Sequence, residues 1–133
     1  MENREIKFRA WEVDWYNKNL KQNQGRMIQW EDIRDDFATI QDRTSYFHLM
    51  QYTELTDRNG KEIYEGDVVV IDKEYVEMFK LSGDPKEVYF MAGAFVLNME
   101  KLNTLSYFVD AKTTSNLFGK VIGNIYENPE LIK

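Results

Sequence analysis

From Glu5 to Trp11 the side chains alternate, with Ile6, Phe8 and Ala10 on one side and Lys7, Arg9 and Trp11 on the other. A period of two predicts a half-buried strand. Asp14 to Gly25 is polar, rich in Asn, Gln and Lys, and reads as a hairpin loop with its tip at Asn17-Lys18-Asn19. Arg26 to Trp30 is then the returning strand. Between Glu31 and Tyr46 the period changes: Ile33, Phe37 and Ile40 fall at i, i+4 and i+7. Glu31, Asp32, Asp35 and Asp36 load the first turns, where acids complement a helix dipole. The spacing predicts a short helix, with an irregular acidic segment as the competing reading.

Phe47 to Tyr52 alternates again, and Asn59-Gly60 is a strong turn signal because both residues tolerate positive φ. Glu65-Gly66-Asp67 breaks the chain before Val68 to Ile71, a run apolar on both sides as for a strand buried on both faces. Ser82-Gly83-Asp84-Pro85 marks a further turn. Strands are predicted at Glu87 to Ala92 and Ala94 to Met99, with Gly93 as a tight bend or bulge between them. Leu105 to Val109 and Lys120 to Tyr126 complete the count. Asn128-Pro129-Glu130 supplies an N-cap, a proline at the first helical position and an acid behind it, so a terminal helical turn starts there. Leu131 and Ile132 are expected to pack back onto the body. Short gaps punctuated by Gly, Asn and Asp suit an antiparallel meander or barrel. Ile63-Tyr64-Glu65 recurs at Ile125-Tyr126-Glu127, an echo that two independent turn entries explain as well as duplication does.

Composition supports a mainly β, β-rich α+β chain. Eight Tyr, eight Phe and three Trp sit beside only two prolines, and aromatic side chains favour pleated, half-buried surfaces. At 133 residues the expectation is a single domain over 1–133. Its barrel core spans about 47–126, and the N-terminal hairpin and acidic segment span about 5–46. No window is long and apolar enough to span a bilayer, no signal peptide opens the chain, and the absence of cysteine excludes disulfides and thiolate chemistry. The expected location is cytoplasmic. The net charge is −6, with +2 over residues 1–30 and −8 over the remainder. Nucleic-acid affinity rests on Lys and Arg meeting phosphates, so this balance disfavours nucleic acid as a partner.

No group of residues is assembled for a recognisable chemistry. His48 is the sole histidine, it lies in a strand-like run, and no serine or acid stands in a known motif with it. Glu31, Asp32, Asp35 and Asp36 could offer oxygen ligands to Mg²⁺ or Ca²⁺, but a solvated first helical turn accounts for them. Asp57-Arg58-Asn59-Gly60 has the start of a calcium loop without its distal glutamate and reads as a turn. Glu62, Glu65 and Asp67 could do acid–base work if burial split their pKa values. The plainer reading has Asp67 accepting backbone amides after Gly66 and the glutamates facing water. The seven glycines are scattered, and no phosphate loop appears. Expectation therefore names no catalytic, cofactor-binding or metal residue. Trp11, Trp15, Tyr16 and Trp30 form a candidate interface, since aromatics are enriched at contact surfaces. A second core face would bury them equally well. Asn59, Gly60, Gly66, Asp67, Asn128 and Pro129 are structural turn residues.

Three blocks together resemble the YopX family of phage and prophage proteins: Ile6-Lys7-Phe8-Arg9-Ala10-Trp11, the segment Met50 to Val69, and Val121 to Ile132. The resemblance runs nearly end to end. It implies a mainly β fold with an SH3-like small β-barrel, alongside the N-terminal hairpin and one or two short helices. It also implies a phage origin in a bacterial host cell and self-association, and it implies no activity. One departure is Glu54, where the family usually has glycine, so this loop need not keep the usual backbone angle. The reading that results is a non-catalytic protein-interaction or assembly module, a homo-oligomer that meets a phage or host protein. The alternatives are a metal-dependent enzyme using clustered carboxylates and a nucleic-acid-binding accessory protein.

Overall fold

The computed structural model describes residues 5–13, 25–43, 46–97, 103–109 and 116–132. Trp15, Tyr16, the loop tip at Asn17 to Asn19 and the end of the strand expected to reach Met99 lie outside them. The described residues form two antiparallel sheets. The first takes β1 (Phe8–Val13), β2 (Gly25–Ile28), β3 (Phe47–Thr56) and β4 (Glu62–Tyr64) in the order β2-β1-β3-β4. The second is curved into a half-barrel and takes β5 (Asp67–Ile71), β6 (Lys86–Met91), β7 (Ala94–Leu97), β8 (Asn103–Thr104) and β9 (Gly119–Asn124) in the order β8-β7-β6-β5-β9. The mainly β expectation is met.

β1 is buried on both faces, which explains its Lys-Arg-Trp side. Phe8 and Ala10 pack with Ile28, Trp30, Ile33, Ile40, Phe47 and Leu49. Trp11 and Val13 face the other way, against Met27, Met50, Tyr52, Tyr64 and Tyr126. The third and largest core lies inside the half-barrel, where Ile63, Val69, Ile71, Val88, Leu97, Leu105, Phe108 and Leu117 meet. The expected acidic helix forms in two pieces, α1 (Trp30–Ile33) and α2 (Phe37–Gln41), joined by a 3₁₀ turn over Arg34–Asp36. Ile33 and Ile40 are buried while the Phe37 ring lies tilted against Phe8, centroids 4.9 Å apart. A further helix, α3 (Lys73–Met78), has no counterpart in the sequence reading. Its Tyr75 and Val76 roof the half-barrel core, and Tyr75 stacks on Phe118 at 3.9 Å.

Leu105 to Val109 is a correction. The strand expected there is a 3₁₀ turn over Leu105–Phe108, and only Val109 makes a bridge, to Leu117. Leu105 and Phe108 are both buried, and a spacing of three places them on one side of a 3₁₀ turn. The strand expected at Lys120 to Tyr126 ends at Asn124, whose Oδ1 accepts the amides of Tyr126 and Glu127. The terminal turn does begin at Pro129 as a 3₁₀ segment. Asn128 turns its side chain onto the Asn124 amide rather than capping that turn, and Ile132 is exposed.

Three non-glycine residues, Glu54, Lys80 and Ala92, carry left-handed backbone strain. Met91 pairs with Ala94, so Ala92 and Gly93 alone close the β6–β7 hairpin, with φ of 52° and 83°. Two positive φ values make this the mirror-image turn that suits Asn-Gly and penalises alanine. Glu54 sits at φ 69° inside the β3–β4 register shift, so the left-handed angle persists although the residue is not glycine. Replacing Glu54 by glycine is expected to raise stability by about 0.5–1 kcal/mol, since the relief of left-handed strain outweighs glycine's entropy cost. Ala92→Asn should give a gain of similar size. Urea denaturation measures both, and a lower midpoint for either variant would contradict the strain argument.

Candidate functional site

The chemistry-bearing side chains collect where the two sheets meet. Alternation along β1 sends Lys7, Arg9 and Trp11 toward β4 and β5. Gly66, at φ 84°, turns the chain so that Asp67 opens β5 facing Arg9. Arg9 donates to Asp67 Oδ1 at 2.6 Å, and Asp67 Oδ2 accepts the Tyr64 amide at 2.8 Å. The guanidinium lies 4.7 Å from the centre of the Tyr64 ring, a cation–π distance. Both members of the pair are buried. Arg9 Nε has no acceptor. Burial raises the Asp67 carboxyl above its ordinary value, opposed by Arg9 and the Tyr64 amide.

Lys7 repeats the arrangement one step along. It pairs with Glu62, reaches Glu5 at 3.2 Å, and lies 4.7 Å from the centre of the Tyr52 ring. Burial pulls its ammonium down, but the hydrogen bonds to Glu62 and Glu5 prevail and hold it above the ordinary lysine range. Burial, with Glu62 nearby, pushes the Tyr64 phenol up to about 12. Burial also raises Tyr52 and Tyr126.

A second carboxylate works in the same way. Asp57 is 1% exposed; its Oδ1 accepts the amides of Asn59 and Lys61, and its Oδ2 accepts the Val121 amide of β9. The Asn59-Gly60 signal thus located a real turn, although only Gly60 takes positive φ, at 83°. The plain reading of Asp67 as an acceptor for backbone amides holds, with Arg9 added. The glutamates face water only in part: Glu62, its side chain 41% exposed, pairs with Lys7, and Glu65 accepts the Gln51 amide at 2.9 Å.

Between β4 and β9 lies a cleft of about 450 Å³, with Arg9, Lys61, Glu62, Tyr64, Asp67, Asn124 and Glu127 among its lining. Another of about 400 Å³ separates β2 from the α1–α2 segment. His48 stacks on Tyr126 at 5.1 Å and sits opposite Trp11 on β1. Glu31, Asp32, Asp35 and Asp36 are exposed. Among the described residues, no three His, Cys, Asp or Glu side chains converge on a point where a metal could sit. Trp11 is 3% exposed and fills the second core face. Trp30 is half-buried beside Phe8 and Phe37. Sequence reasoning missed Arg9 and Asp57. The signal for Arg9 was a charged residue alternating with tryptophan on a strand whose two faces both needed covering.

Arg9→Met should cost about 3–5 kcal/mol, because it leaves Asp67 buried and unpaired. Adding Asp67→Asn should recover part of that loss; a single variant as stable as the parent in thermal melts would refute the pairing. Alkali should also weaken the fold. Tyr64 keeps its proton to about 12 when folded against 10.0 ordinarily, so the folded state holds the extra proton between those values. Stability present below pH 10.0 is then lost as pH rises through about 12. Lys7, also raised, acts in the same sense. Tyr64→Phe should flatten the fall, read by urea midpoints across that range; an unchanged slope would exclude Tyr64 as a source.

Comparison with known proteins fits this picture. A crystal structure of protein EF1440 from Enterococcus faecalis aligns at a TM-score of 0.55 with 23% sequence identity, covering 98% of this chain and 100% of that one. At that identity the likeness concerns the fold. No curated protein matches the sequence. No helix among the described residues is long and apolar enough to cross a membrane. The sequence model described as YopX protein matches residues 7–133, and with nearly the whole chain covered, this protein belongs to the YopX family.

Proposed function

We propose that the chain is a non-catalytic assembly module: it binds copies of itself and a phage or host protein, in the cytoplasm of a bacterial cell carrying the phage. The observation that supports this most is the division of labour between its groups. The buried charges Arg9, Asp57 and Asp67 are engaged with one another or with backbone amides, and Lys86 with the Ser82 and Asp84 carbonyls. Large apolar side chains meanwhile are exposed at Met78, Phe79, Phe90 and Met91. Exposed apolar patches are a mark of contact surfaces. Trp11 belongs to the core, so contact is assigned elsewhere, and Trp30 keeps a partly open face. Family membership accords with a phage-type role and supplies no activity.

Gel filtration with light scattering should give a mass that is a multiple of 15.9 kDa. A clean monomer at high concentration would overturn self-association. Calorimetric titration with Mg²⁺, Mn²⁺ and Ca²⁺ should release no heat of binding; saturable heat for any of them would overturn the non-catalytic reading in favour of carboxylate-bound metal.

A further inference from the structure

Of all the asparagines in the chain, only Asn59 precedes a glycine. That dipeptide carries a chemistry of its own. The backbone nitrogen of a following residue can attack an asparagine carboxamide, and a side chain on that residue hinders the approach; glycine has none. Asn59 and Gly60 are both exposed. A Cβ placed on Gly60 would meet nothing within 4 Å, so the turn stands clear of the rest of the fold. Among the described residues Asn59 is bonded through its backbone amide, and no group holds its carboxamide.

The fold restrains this reaction. Gly60 N–H, the nitrogen that would attack, donates to the Asp57 carbonyl at 2.9 Å, and Asp57 N–H donates to the Lys61 carbonyl at 2.7 Å. The Asp57 carboxylate accepts the amides of Asn59 and Lys61 through Oδ1 and that of Val121 through Oδ2. While these bonds stand, the Gly60 N–H is spent on a carbonyl and is held away from the carboxamide. An exposed turn held by a few hydrogen bonds opens far more often than the whole protein unfolds.

We propose that Asn59 is a deamidation site, that opening of the 57–61 turn gates the reaction, and that the product frees the β3–β4 hairpin from β9. In the opened turn the Gly60 nitrogen bonds to Asn59 Cγ and gives its proton to solvent base. The carboxamide nitrogen takes up a proton from water and leaves as ammonia, and a five-membered succinimide remains. Water then adds at either ring carbonyl and breaks its bond to nitrogen, which yields aspartate or isoaspartate at position 59. Aspartate places a second negative charge on the residue whose amide the Asp57 carboxylate accepts. Isoaspartate inserts a methylene into the main chain of the turn. Either product loosens the Asn59, Lys61 and Val121 amides from Asp57.

The test holds the full chain at mildly alkaline pH, in buffer and in urea below the unfolding transition. Peptide mass mapping and isoaspartate content then locate the conversion. Position 59 should convert faster than every other asparagine, and urea should speed it. Asp57→Asn should raise the rate about tenfold or more, the equilibrium shift that follows from losing hydrogen bonds to a charged group. Should that variant not fold, the urea series alone decides the gating. Asn59→Gln, whose longer side chain closes the ring poorly, should stay intact and melt like the parent. Converted protein gains a negative charge and separates by ion exchange; it should melt lower and exchange its Val121 amide faster than unconverted protein of the same age. An asparagine at 59 that survives in urea as well as in buffer overturns the site. Equal rates in buffer and in urea overturn the gating. Converted protein with the parent's melting point and Val121 exchange overturns the coupling to β9.

Discussion

The two sheets share no strand; beside backbone bonds such as Leu117 N–H to the Thr56 carbonyl and Arg58 N–H to the Gly119 carbonyl, the buried Arg9–Asp67 pair holds them together. It joins β1 of the first sheet to the first residue of β5 in the second. The adjoining Tyr64 amide at the end of β4 needs an acceptor once it is shut away from water, and Asp67 Oδ2 provides it. A buried pair of this kind is seldom a large net source of stability, because removing both charges from water offsets most of their attraction. Its value lies in position. Only one relative placement of the sheets satisfies guanidinium, carboxylate and amide together.

Asp57 plays the corresponding part at the other end of β4. By accepting amides from its own turn and from Val121, it ties the β3–β4 hairpin to β9. The register shift between Val68 and Val69 in the β5–β9 ladder lies beside that contact. The strained Glu54 belongs to the same economy of geometry. β3 begins in the first sheet's cores, with Met50 and Tyr52, and by Leu55 it contributes to the half-barrel core. A strand can serve two cores only if it changes which face it presents, and the left-handed residue with the Thr53 hydroxyl bound to Ile63 and Leu55 makes that change.

With its polar groups drawn inward to hold the sheets, the molecule presents an acidic exterior interrupted by apolar side chains. That division suits a protein whose work is contact. It also separates two aromatic populations that look alike in the sequence: Trp11 and Tyr64 are internal, whereas Phe79 and Phe90 are open to solvent.

The sequence by itself determined most of the β strands, the turns at Gly60, Gly66 and Gly93, the helical spacing of Ile33 and Ile40, and the family. These depend on neighbours a few residues apart, where backbone preference and side-chain period dominate. It also marked Asp67 as an acceptor at a corner. Tertiary structure alone decided that Arg9 would meet that carboxylate across 58 residues, that Asp57 would reach β9, that Leu105 and Phe108 would serve a 3₁₀ turn, and that Trp11 would be core. α3 was invisible because six residues supply too short a pattern, and its apolar side acquires meaning only above the half-barrel. A charge on a strand reads as solvent-facing until a second sheet covers it; burial and pairing are properties of the assembled layers, which no local window of the chain contains.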